Sequence, residues 1–515
     1  MSILNRFKRL VQRSEVNLGT RKSLSKITDD SRIDMDVNEY IRIDRDFKYY
    51  ANNYPKKQYI DAEGARRERA YNTINIAKRA SKRIASIVFN EQCKISFEDK
   101  TLGDFLNQVL DDNDFKNQFE ENLEKGIVAG GFAMRPYVSN GKIKIAWIRA
   151  DQFYPLRSNT NSISEAAIAS RSTTTENNEN VYYTLLEFHE WKQDNYVITN
   201  ELYRSTEPSI IGMQVDLADL YPDIEPVIII NGAKMVHPLF SYFRMPGANN
   251  ISLESPLGVG IVDNTKHTID DLNLTHDSFM WEIRNGKRTI AVPESMLKFD
   301  PPQKGVKRAH RPMFDTDTDV YVQMMGESDI QIKDLTSSIR VQEFTDSMNA
   351  FLREFESDIG MAPGTFSYDS KTGFQTATQV VSENSMTYQT RSSILTNVTA
   401  CIEDLCEAIL ELASVPEFFT DGVAQFSLDN VENLNDLGMS IKYDDGVFVD
   451  KDKRMDEDLK NVVAGTLSKL TYLQRNYGMS EKDAKAELQR IQDETPQADT
   501  IAGNESSMFG GGDGD

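Results

Sequence analysis

The amino-acid sequence predicts an α+β protein that is divided into several domains, and three observations support this fold class. Between residues 141 and 230, apolar and polar residues alternate in short runs, as they do in half-buried β-strands. From residue 257 onward, apolar residues recur mainly three and four positions apart, which is the spacing of amphipathic helices. The 515 residues are also too many for one hydrophobic core, so two to four domains are expected.

The first 30 residues are basic and irregular, and they open with the amphipathic stretch MSILNRFKRLVQR. This stretch lacks the continuous apolar run and the small-residue cleavage site of a secretory signal. We prefer a solvated helix packed on its own domain or on a neighbour, and a peripheral membrane or partner-binding helix is the alternative. No stretch approaches the roughly 20 apolar residues of a membrane span, so we expect no spanning segment. With the solvated helix preferred, we also expect no membrane partner.

Helices are predicted over most of residues 62–131. In Ala62–Phe89, apolar residues lie near helical spacing, and Arg and Lys residues form the polar face. A solvated helix surface is the preferred interpretation of this face, and a nucleic-acid patch is the alternative. The next segment, Leu102–Gly131, is predicted to form two helices that end at glycines.

Strands are predicted in the region that follows. The run GKIKIAWIR would place Ile143, Ile145 and Trp147 on one face, and the runs VYYTLLEFHEW and NYVITNELYR flank KQD as a hairpin. The polar ends of the segment before the hairpin, RSNTNSISEAAIASRSTTTENNEN, are predicted to be exposed loop. The apolar run Val227–Ile230 is predicted to be a buried strand.

Leu257–Leu410 has the pattern of a helix, an insertion, a second helix, a loop and a long helix. The insertion is rich in Pro and charged residues and contains the short strand candidates VYVQMM and IQIKD. The second helix, Arg340–Met361, covers 22 residues, or roughly 33 Å. Its apolar stripe comprises Val341, Phe344, Met348, Phe351, Phe355 and Ile359. Two such helices bury too little surface alone, so neighbouring copies packed side by side in a ring would stabilise them.

The leading half of the long helix, Thr376–Ser393, is crowded with Thr, Ser, Gln and Asn, and the loop APGTFSYDSK precedes it. These side chains could hydrogen-bond between subunits beside a water-filled channel, with the loop projecting inward. A solvent-facing polar helix with a surface hairpin explains the periodicity equally well. The residues alone leave both alternatives open.

The C-terminal region is predicted to be helical. One helix is marked by Leu459, Val462, Val463, Leu467 and Leu470. Gly478 is a predicted C-cap, and Ser480 with Asp483 predicts the start of the next helix. The last residues, GNESSMFGGGDGD, are predicted to be disordered.

The net charge of −22 argues against a protein that grips nucleic acid, because phosphate contacts require a basic surface. The three cysteines, Cys93, Cys401 and Cys406, include no CxxC pair and predict no disulfide framework. Few cysteines without such a framework fit a reducing assembly compartment.

Motifs for catalysis and metal binding are absent from the sequence. There is no P-loop, and LGVGIVDNTK lacks the third spaced glycine of a dinucleotide site. The stretch DTDTDVYVQMMG has Val320 and Gly326 where a calcium loop requires Gly and Glu. We therefore predict no catalytic residue, no cofactor and no metal site. A carboxylate-metal nuclease remains an alternative only because Asp and Glu are abundant.

Four stretches of the sequence, taken in order, resemble a portal protein of tailed bacteriophages, of the kind found in siphophages of Gram-positive hosts. They are VFNEQCKISFED, KGIVAGGFAMRPYVSNGKIKIAWIRADQFYP, ESPLGVGIVDNTKHTIDDLN, and GTFSYDSKTGFQTATQVVSENS followed by the long helix. Together they cover about Ile84 to Leu412. Their order along the chain, rather than any single motif, carries the resemblance, and the two ends match only in character.

The resemblance implies a portal fold assembled as a ring, usually of twelve copies, with wing, stem, clip and crown around a DNA channel. It implies an N-terminal region and α/β wing at 1–256, a stem helix at 257–286, a small α/β clip at 287–339, a second stem helix at 340–360, a tunnel loop at 361–377, a long kinked helix and wing return at 378–451, a helical crown at 452–495 and a disordered tail at 496–515.

The resemblance also implies roles for particular residues. The tunnel loop, at the narrowest part of the channel, would include Gly364, Thr365, Phe366, Ser367, Tyr368, Asp369, Ser370 and Lys371. Stem packing would involve Ile269, Leu272, Phe279, Phe344, Met348, Phe351 and Phe355. In the clip, docking of a partner or contact with incoming DNA would involve Lys304, Lys307, Arg308 and Arg311, although solubility also explains these cations. Lys371 could touch passing phosphate or pair with Asp369.

The function implied is a non-enzymatic channel for DNA packaging and ejection at one capsid vertex. The implied partners are further copies of the chain, double-stranded DNA in transit, the terminase large subunit, the head–tail connector or adaptor, and the major capsid and scaffold proteins. The location would be the virion, and the host cytoplasm during assembly. A metal-dependent nuclease or other phage DNA-processing enzyme, and another capsid or tail structural protein, remain as alternatives.

Overall fold

The computed structural model describes residues 22–60, 64–160, 162–232, 235–286, 290–291, 333–334, 338–368, 385–419, 422–428, 434, 436–443 and 451–494. The chain divides into two compact units, residues 1–444 and 445–515. The first unit mixes helices and antiparallel sheets, as the α+β prediction requires, and the described part of the second unit is helical. No described helix is long and apolar enough to cross a lipid bilayer.

The helices of the first unit are α1 (Val37–Tyr50), α2 (Ile76–Val88), α3 (Lys100–Asp112), α4 (Phe115–Ala129), α5 (Ile261–Asn285), α6 (Val341–Asp358) and α7 (Ser385–Ser414). Side chains cap several of their N-termini, as the Asp36 carboxylate does for α1 and the Asp99 carboxylate for α3. The second half of α7 is buried almost all round, including Cys401 and Cys406.

The strands are β1 (Ser23–Leu24), β2 (Lys57–Ile60), β3 (Arg66–Arg69), β4 (Lys94–Phe97), β5 (Gly131–Ser139), β6 (Lys142–Arg149), β7 (Phe153–Asn159), β8 (Ser162–Glu176), β9 (Glu179–Lys192), β10 (Asn195–Ser205), β11 (Gly212–Val215), β12 (Val227–Asn231), β13 (Ser241–Arg244), β14 (Ile290–Ala291), β15 (Lys333–Asp334) and β16 (Met439–Lys442). The largest sheet has the order β1-β11-β10-β9-β8-β7, with β12 also paired to β10. A second sheet has the order β13-β5-β6.

The predicted hairpin around KQD is confirmed as β9 and β10. The turn residues Gln193 and Asp194 both have positive φ, at 48° and 60°, which matches the right-handed twist of the flanking strands. The predicted strand GKIKIAWIR is confirmed as β6, and Ile143 and Ile145 are buried. Trp147 lies on the aromatic cluster of α4, where its ring centroid is 5.7 Å from that of Phe115.

Three predictions for residues 62–230 are wrong. The helix expected from Ala62 begins only at Ile76, because Arg66–Arg69 pairs with Lys57–Ile60 as a β-hairpin and Asn75 caps the helix. The segment predicted to end in exposed loops is strand almost throughout, since β7 runs to Asn159 and β8 to Glu176. The run VIII belongs to an edge strand, in which Ile230 is buried but Ile229 is 50% exposed.

The core of the first unit lies between the large sheet, the second sheet and α1. One cluster joins Ile43 of α1 to Phe153 of β7 and Phe240. A second cluster on the large sheet joins Leu186, Phe188 and Tyr203 to the segment around β1. Burial of these apolar side chains is the main contribution that stabilises this part of the first unit.

In the second unit, three helices are described: α8 (Lys451–Val463), α9 (Lys469–Tyr477) and α10 (Glu481–Glu494). The prediction of one helix from Leu459 to Leu470 is wrong, because α8 ends at Val463 and Gly465 adopts a φ of +76°. The predicted C-cap is confirmed, with Gly478 at a φ of +66°. The hydroxyl of Ser480 accepts from the amide of Asp483 at 3.2 Å, which confirms the predicted helix start. The stretch 496–515 lies outside the described residues.

Candidate functional site

The loop that follows α6 is fastened to that helix by one buried carboxylate. Glu356 is fully buried, and its carboxylate accepts hydrogen bonds from the backbone amides of Gly364 and Ser367, each at 2.8 Å, and from the amide of Phe366. Three convergent amides satisfy a buried carboxylate and curl the backbone around it. The described part of the predicted tunnel loop is therefore held at its root.

Further contacts hold the loop to α6 and α7. The side-chain carbonyl of Asn349 accepts from the amide of Tyr368 at 2.9 Å. The hydroxyl of Thr387 accepts from the amide of Ala362 at 2.8 Å, and the hydroxyl of Thr390 donates to the carbonyl of Gly360 at 2.8 Å. The turn that leaves α6 is thus bonded to both helices.

The apolar contacts of the loop follow the same arrangement. The ring of Phe366 lies 6.3 Å from that of Phe355, edge to face, on the buried side of α6. Tyr368, the last described residue of the loop, is 58% exposed. The remaining predicted loop residues, Asp369, Ser370 and Lys371, lie outside the described residues. The structure therefore shows a fixed root that presents an exposed tyrosine.

The polar leading half of the long helix has a use that sequence reasoning missed. The structure describes the long helix from Ser385 onward, and residues 376–384 lie outside the described residues. Thr387 is 2% exposed, and its hydroxyl is hydrogen-bonded to the segment that follows α6, as is the hydroxyl of Thr390. Part of this polar face therefore makes hydrogen bonds within the chain. Neither a channel-lining face nor a plain solvated face required such bonds, and nothing in the spacing of threonines signalled them.

The predicted stem residues lie on the facing sides of α5 and α6 or close to them. Buried members are Ile269, Leu272, Met348 and Phe355, and half-buried members are Phe279, Phe344 and Phe351. The rings of Phe279 and Phe344 lie 5.2 Å apart, so the two helices pack on each other within one chain. An Asp at Phe355 would therefore disturb the fold of the single chain before it disturbed any contact between copies.

The predicted clip residues Lys304, Lys307, Arg308 and Arg311 lie outside the described residues. The two ends of the insertion that contains these residues are described. They form β14 and β15, which pair with Ala291 opposite Lys333. Just before α6, Arg340 makes a bidentate ion pair with Glu282 of α5. The insertion therefore leaves and rejoins the helix pair at one place.

The start of α5 is held against the end of α4 by a close backbone crossing. A Cβ on Gly130 would lie 2.1 Å from the carbonyl oxygen of Gly258, and a Cβ on Gly260 would lie 1.8 Å from that of Val128. Only glycines allow this approach. The two glycine-containing stretches KGIVAGG and PLGVGIV, which carried part of the resemblance, are therefore in direct contact.

A buried ionic network surrounds this crossing. The guanidinium of Arg42 donates to Asp263 of α5 at 2.8 Å, to Glu39 at 2.7 Å and to the carbonyl of Gly258 at 2.7 Å. Burial and the neighbouring Asp263 carboxylate raise the pKa of Asp46. Hydrophobic periodicity could not find this network, although charged residues at i and i+3 inside an amphipathic helix were a signal.

No group of His, Cys, Asp and Glu suited to a metal ion occurs among the described residues. His189 is fully buried in β9, where it bonds Glu187 at 2.6 Å and Tyr196 at 2.8 Å, so it lies inside the sheet. Burial raises the pKa of the Cys401 and Cys406 thiols, which makes both poor nucleophiles. None of these groups has the setting of a catalytic residue.

Comparisons with known proteins come from a family model and from solved structures. No curated protein matches the sequence. Three similar solved structures carry the descriptions virion of a native gene transfer agent particle, neck of an empty particle with C6 symmetry and neck of a native particle with C12 symmetry. Their sequences are each 12% identical to this one, with TM-scores of 0.41, 0.40 and 0.38. The matches cover 86%, 79% and 77% of this chain, and 99%, 89% and 87% of those chains.

At these TM-scores the family match decides the assignment. The model for phage portal proteins of the SPP1 Gp6-like type matches residues 30–500, which is most of the chain. This match includes the glycine crossing, the helix pair and the Glu356-anchored loop, and it confirms the resemblance to phage portal proteins. The chain therefore belongs to the SPP1 Gp6-like family of phage portal proteins.

Proposed function

We propose that copies of this chain form a ring at one capsid vertex and that the ring is the channel through which double-stranded DNA enters and leaves. The family match over residues 30–500 carries this proposal. The net charge of −22 supports it physically, because few counterions are released when a duplex passes an acidic wall. DNA then slides instead of adhering.

The loop rooted on Glu356 is the proposed constriction. Its backbone is bonded to α6 and α7, so it can present Tyr368 and the residues that follow without moving at its base. A loop on a rigid base suits a narrow point of a channel, since passing DNA would push against it repeatedly. Lys371 would then be a single cation close to the constriction.

Motor and docking functions are assigned to other proteins. The sequence has no P-loop, so the energy for packaging would come from the terminase large subunit. We assign its docking, and later that of the head–tail connector, to the insertion 287–339. Major capsid and scaffold proteins would surround the ring in the virion, and assembly would take place in the host cytoplasm. A siphophage of a Gram-positive host and a count of twelve remain predictions.

The domain roles remain proposals built on the family match. Residues 1–256 form the wing, 257–286 and 340–360 the stem helices, and 361–377 the tunnel loop. Residues 378–451 form the long kinked helix and wing return, 452–495 the crown, and 496–515 the tail. The chain acts without catalysis in this scheme, and a metal-dependent nuclease or another structural role would need a different observation.

Negative-stain electron microscopy of the purified chain tests the proposal. Rings with a central hole wider than a duplex, roughly 20 Å, are expected, and class averages would give the copy number. The assay should be run over a range of protein concentrations, and again with co-expressed scaffold protein. Closed particles without an axial hole, or a chain that stays monomeric under all these conditions, would contradict a channel-forming ring.

A further inference from the structure

An apolar side chain projects from the loop just before α5. Residues 252–255 form a β-turn, the exposed turn, in which the amide of Ser255 donates to the carbonyl of Ser252 at 3.1 Å. Leu253 is the second residue of this turn and is 86% exposed, the highest value among the described large apolar side chains. Glu254, the third residue, is exposed as well. One exposed leucine is ordinary on a protein surface, so the way in which the fold holds it decides its meaning.

The exposed turn is held at its root by buried polar side chains. The side-chain carbonyl of Asn249 accepts from the amides of Ile251 and Ser252, at 3.0 and 2.9 Å. The side-chain amide of Asn249 and the hydroxyl of Ser255 both donate to the Glu39 carboxylate of α1, at 3.3 and 3.1 Å. A turn that is already fixed loses little further conformational freedom when it binds a partner. The fold therefore presents this leucine in a form suited to a contact.

An open cavity of about 230 Å³, the α1 cavity, lies on the outer side of α1. Its apolar lining includes Ile27, Val37 and Ile41, and Ile41 is 58% exposed. A cavity of about 150 Å³ can hold a benzene molecule, so the α1 cavity has room for a leucine side chain. The hydroxyl of Thr28, also in the lining, is buried and has no hydrogen-bond partner among the described residues. An apolar side chain that arrives with a polar backbone would complete this wall.

The charges of the cavity lining are complementary to those of the exposed turn. The lining includes Lys26 and Arg171, which are exposed and form no ion pair with a described carboxylate. Its carboxylate, Asp44, is already paired with Lys48 at 2.6 Å. In the exposed turn, Glu254 likewise has no ion-pair partner among the described residues. The cavity therefore has an excess of positive charge, and the turn supplies a carboxylate.

The root of the exposed turn and the α1 cavity lie on opposite sides of α1. The root is bonded to Glu39, whereas Val37 and Ile41 of the cavity are each two residues from Glu39 and therefore about 200° round the helix. No residue of the loop 247–257 lines the cavity. The leucine of one chain is therefore outside its own cavity, and the cavity of another copy is open to it.

We infer that the exposed turn of one copy enters the α1 cavity of the next copy in the ring, with Leu253 in the apolar lining and Glu254 beside Arg171. An apolar side chain that fits a pocket elsewhere on an identical molecule makes a heterologous contact, and such contacts close into a ring when the rotation between copies permits. Opposite charge on the two surfaces fixes which one meets which. The inference rests on the proposed ring, and it names a contact between neighbouring copies.

Cross-linking between copies tests the contact directly. A chain with Ser209→Cys in the cavity lining and Ser252→Cys in the exposed turn keeps Leu253 and the apolar lining unchanged. The native cysteines are buried, so a short bismaleimide should react with the introduced thiols. Rings of this chain should give a ladder of covalent multimers on a denaturing gel. Chains with only one of the two substitutions should give monomers.

A single substitution tests the leucine itself. Leu253→Asp should lower the ring fraction in mass photometry by about tenfold or more, because a carboxylate would have to enter the apolar part of the cavity. The matched control is Val463→Asp, since Val463 is 83% exposed and lies in the second compact unit. The control should keep its rings. Equal urea midpoints for both variants and the unchanged chain would show that the fold of the single chain is intact.

A charge exchange tests which surfaces meet. Glu254→Arg and Arg171→Glu should each lower the ring fraction by about threefold or more, because each places like charges across every contact. Both substitutions in one chain reverse the turn and the cavity together, so rings should return. Rings that are lost in the double variant as fully as in the two single variants would contradict a contact between these residues.

The possible failures are distinct. Rings that form normally with Leu253→Asp, or that give no ladder after cross-linking, would overturn the inference and leave the proposed function standing. Loss of rings with Val463→Asp as well would mean that added charge disrupts assembly in general, which also overturns it. A chain with Ser14→Cys and Ser209→Cys tests the other occupant. An efficient cross-link within that chain would assign the cavity to the chain's own first residues and overturn the inference. An unchanged chain that forms no rings would overturn the proposed ring and the inference together.

Discussion

Glu356 is a single residue on which the described root of the loop depends, because its two oxygens accept from three backbone amides. The substitution Glu356→Gln keeps the shape but turns one acceptor into a donor that faces amide hydrogens. Losing these bonds in a buried site should lower the free energy of unfolding by about 1–3 kcal/mol. Urea denaturation measures this change, and hydrogen exchange should become faster at Gly364, Phe366 and Ser367.

Glu354→Gln is the matched control, since Glu354 lies two residues away on the exposed side of α6. An exposed substitution of this kind should change stability by less than about 0.5 kcal/mol and leave exchange in the loop unchanged. Equal effects of the two substitutions would mean that helix propensity, and not the buried carboxylate, sets the stability of this segment.

Asp46 makes stability depend on pH in a direction opposite to that of most carboxylates. Its pKa is raised by burial and by Asp263, so the folded state holds a proton that the unfolded state releases above about pH 4. As pH rises from there to the raised pKa, the unfolded state binds fewer protons and the contribution of Asp46 to stability falls. The substitution Asp46→Asn removes this titration.

The comparison is therefore a difference between two pH profiles of unfolding free energy. The stability of the Asn variant relative to the unchanged chain should increase with pH by up to about 1.4 kcal/mol per unit within that window, and it should be level below about pH 4. A constant difference across pH 4–8 would show that Asp46 is already ionised in the fold, held so by Arg45.

At the scale of elements, the sequence indicated helices α5 and α6 well because their apolar residues recur at helical spacing. The hairpin β2–β3 was missed for a physical reason. Its residues are mostly charged, and the contacts that fix it, Arg69 with Asp277 and Tyr59 with Trp281, join positions about 200 residues apart. Local periodicity contains no information about such partners.

The same limit applies to the candidate site. The loop APGTFSYDSK could be located by its Pro and Gly residues and by resemblance. The residues that hold the loop could not be located in this way. In the sequence, Glu356 resembles any other polar residue of an amphipathic helix, and its role appears only when the chain folds back on it. The bond from Arg42 to Asp263 is a further example, since these residues are separated by 221 positions.

The pairing of β14 with β15 allows the insertion between these strands to be deleted. Because Ala291 pairs with Lys333, the ends of 292–332 are adjacent, and Asn-Gly can close them as a two-residue turn. The shortened chain should keep the packing of α5 on α6, with an unfolding free energy within about 1 kcal/mol of the unchanged chain. Pull-down with the terminase large subunit should lose binding by at least tenfold.

Lys304→Ala with Lys307→Ala is the companion variant for that excision. It keeps the insertion and removes half of the basic residues to which docking is assigned. Terminase binding that survives the excision would move the docking site away from 287–339. Binding that survives only the alanine variant would show that cations are not the docking determinants.

For the molecule as a whole, the excess of acidic residues bears on its contact with DNA. The chain carries 80 acidic and 58 basic residues, which gives a net charge of −22. This total predicts weak contact with DNA. It could not show which charges face each other in the fold, such as Arg69 and Asp277.

Weak and nearly salt-independent DNA binding is the expectation for assembled rings. Fluorescence anisotropy with a short duplex should give a dissociation constant weaker than about 10⁻⁵ M at physiological salt, because few phosphates are neutralised. The slope of log K against log salt should be shallow. If Lys371 touches phosphate in the constriction, Lys371→Ala should reduce that slope by about one, whereas a lysine paired with Asp369 would leave it unchanged. Tight binding with a steep slope would mean that a basic surface lines the channel, and an acidic sliding wall would have to be abandoned.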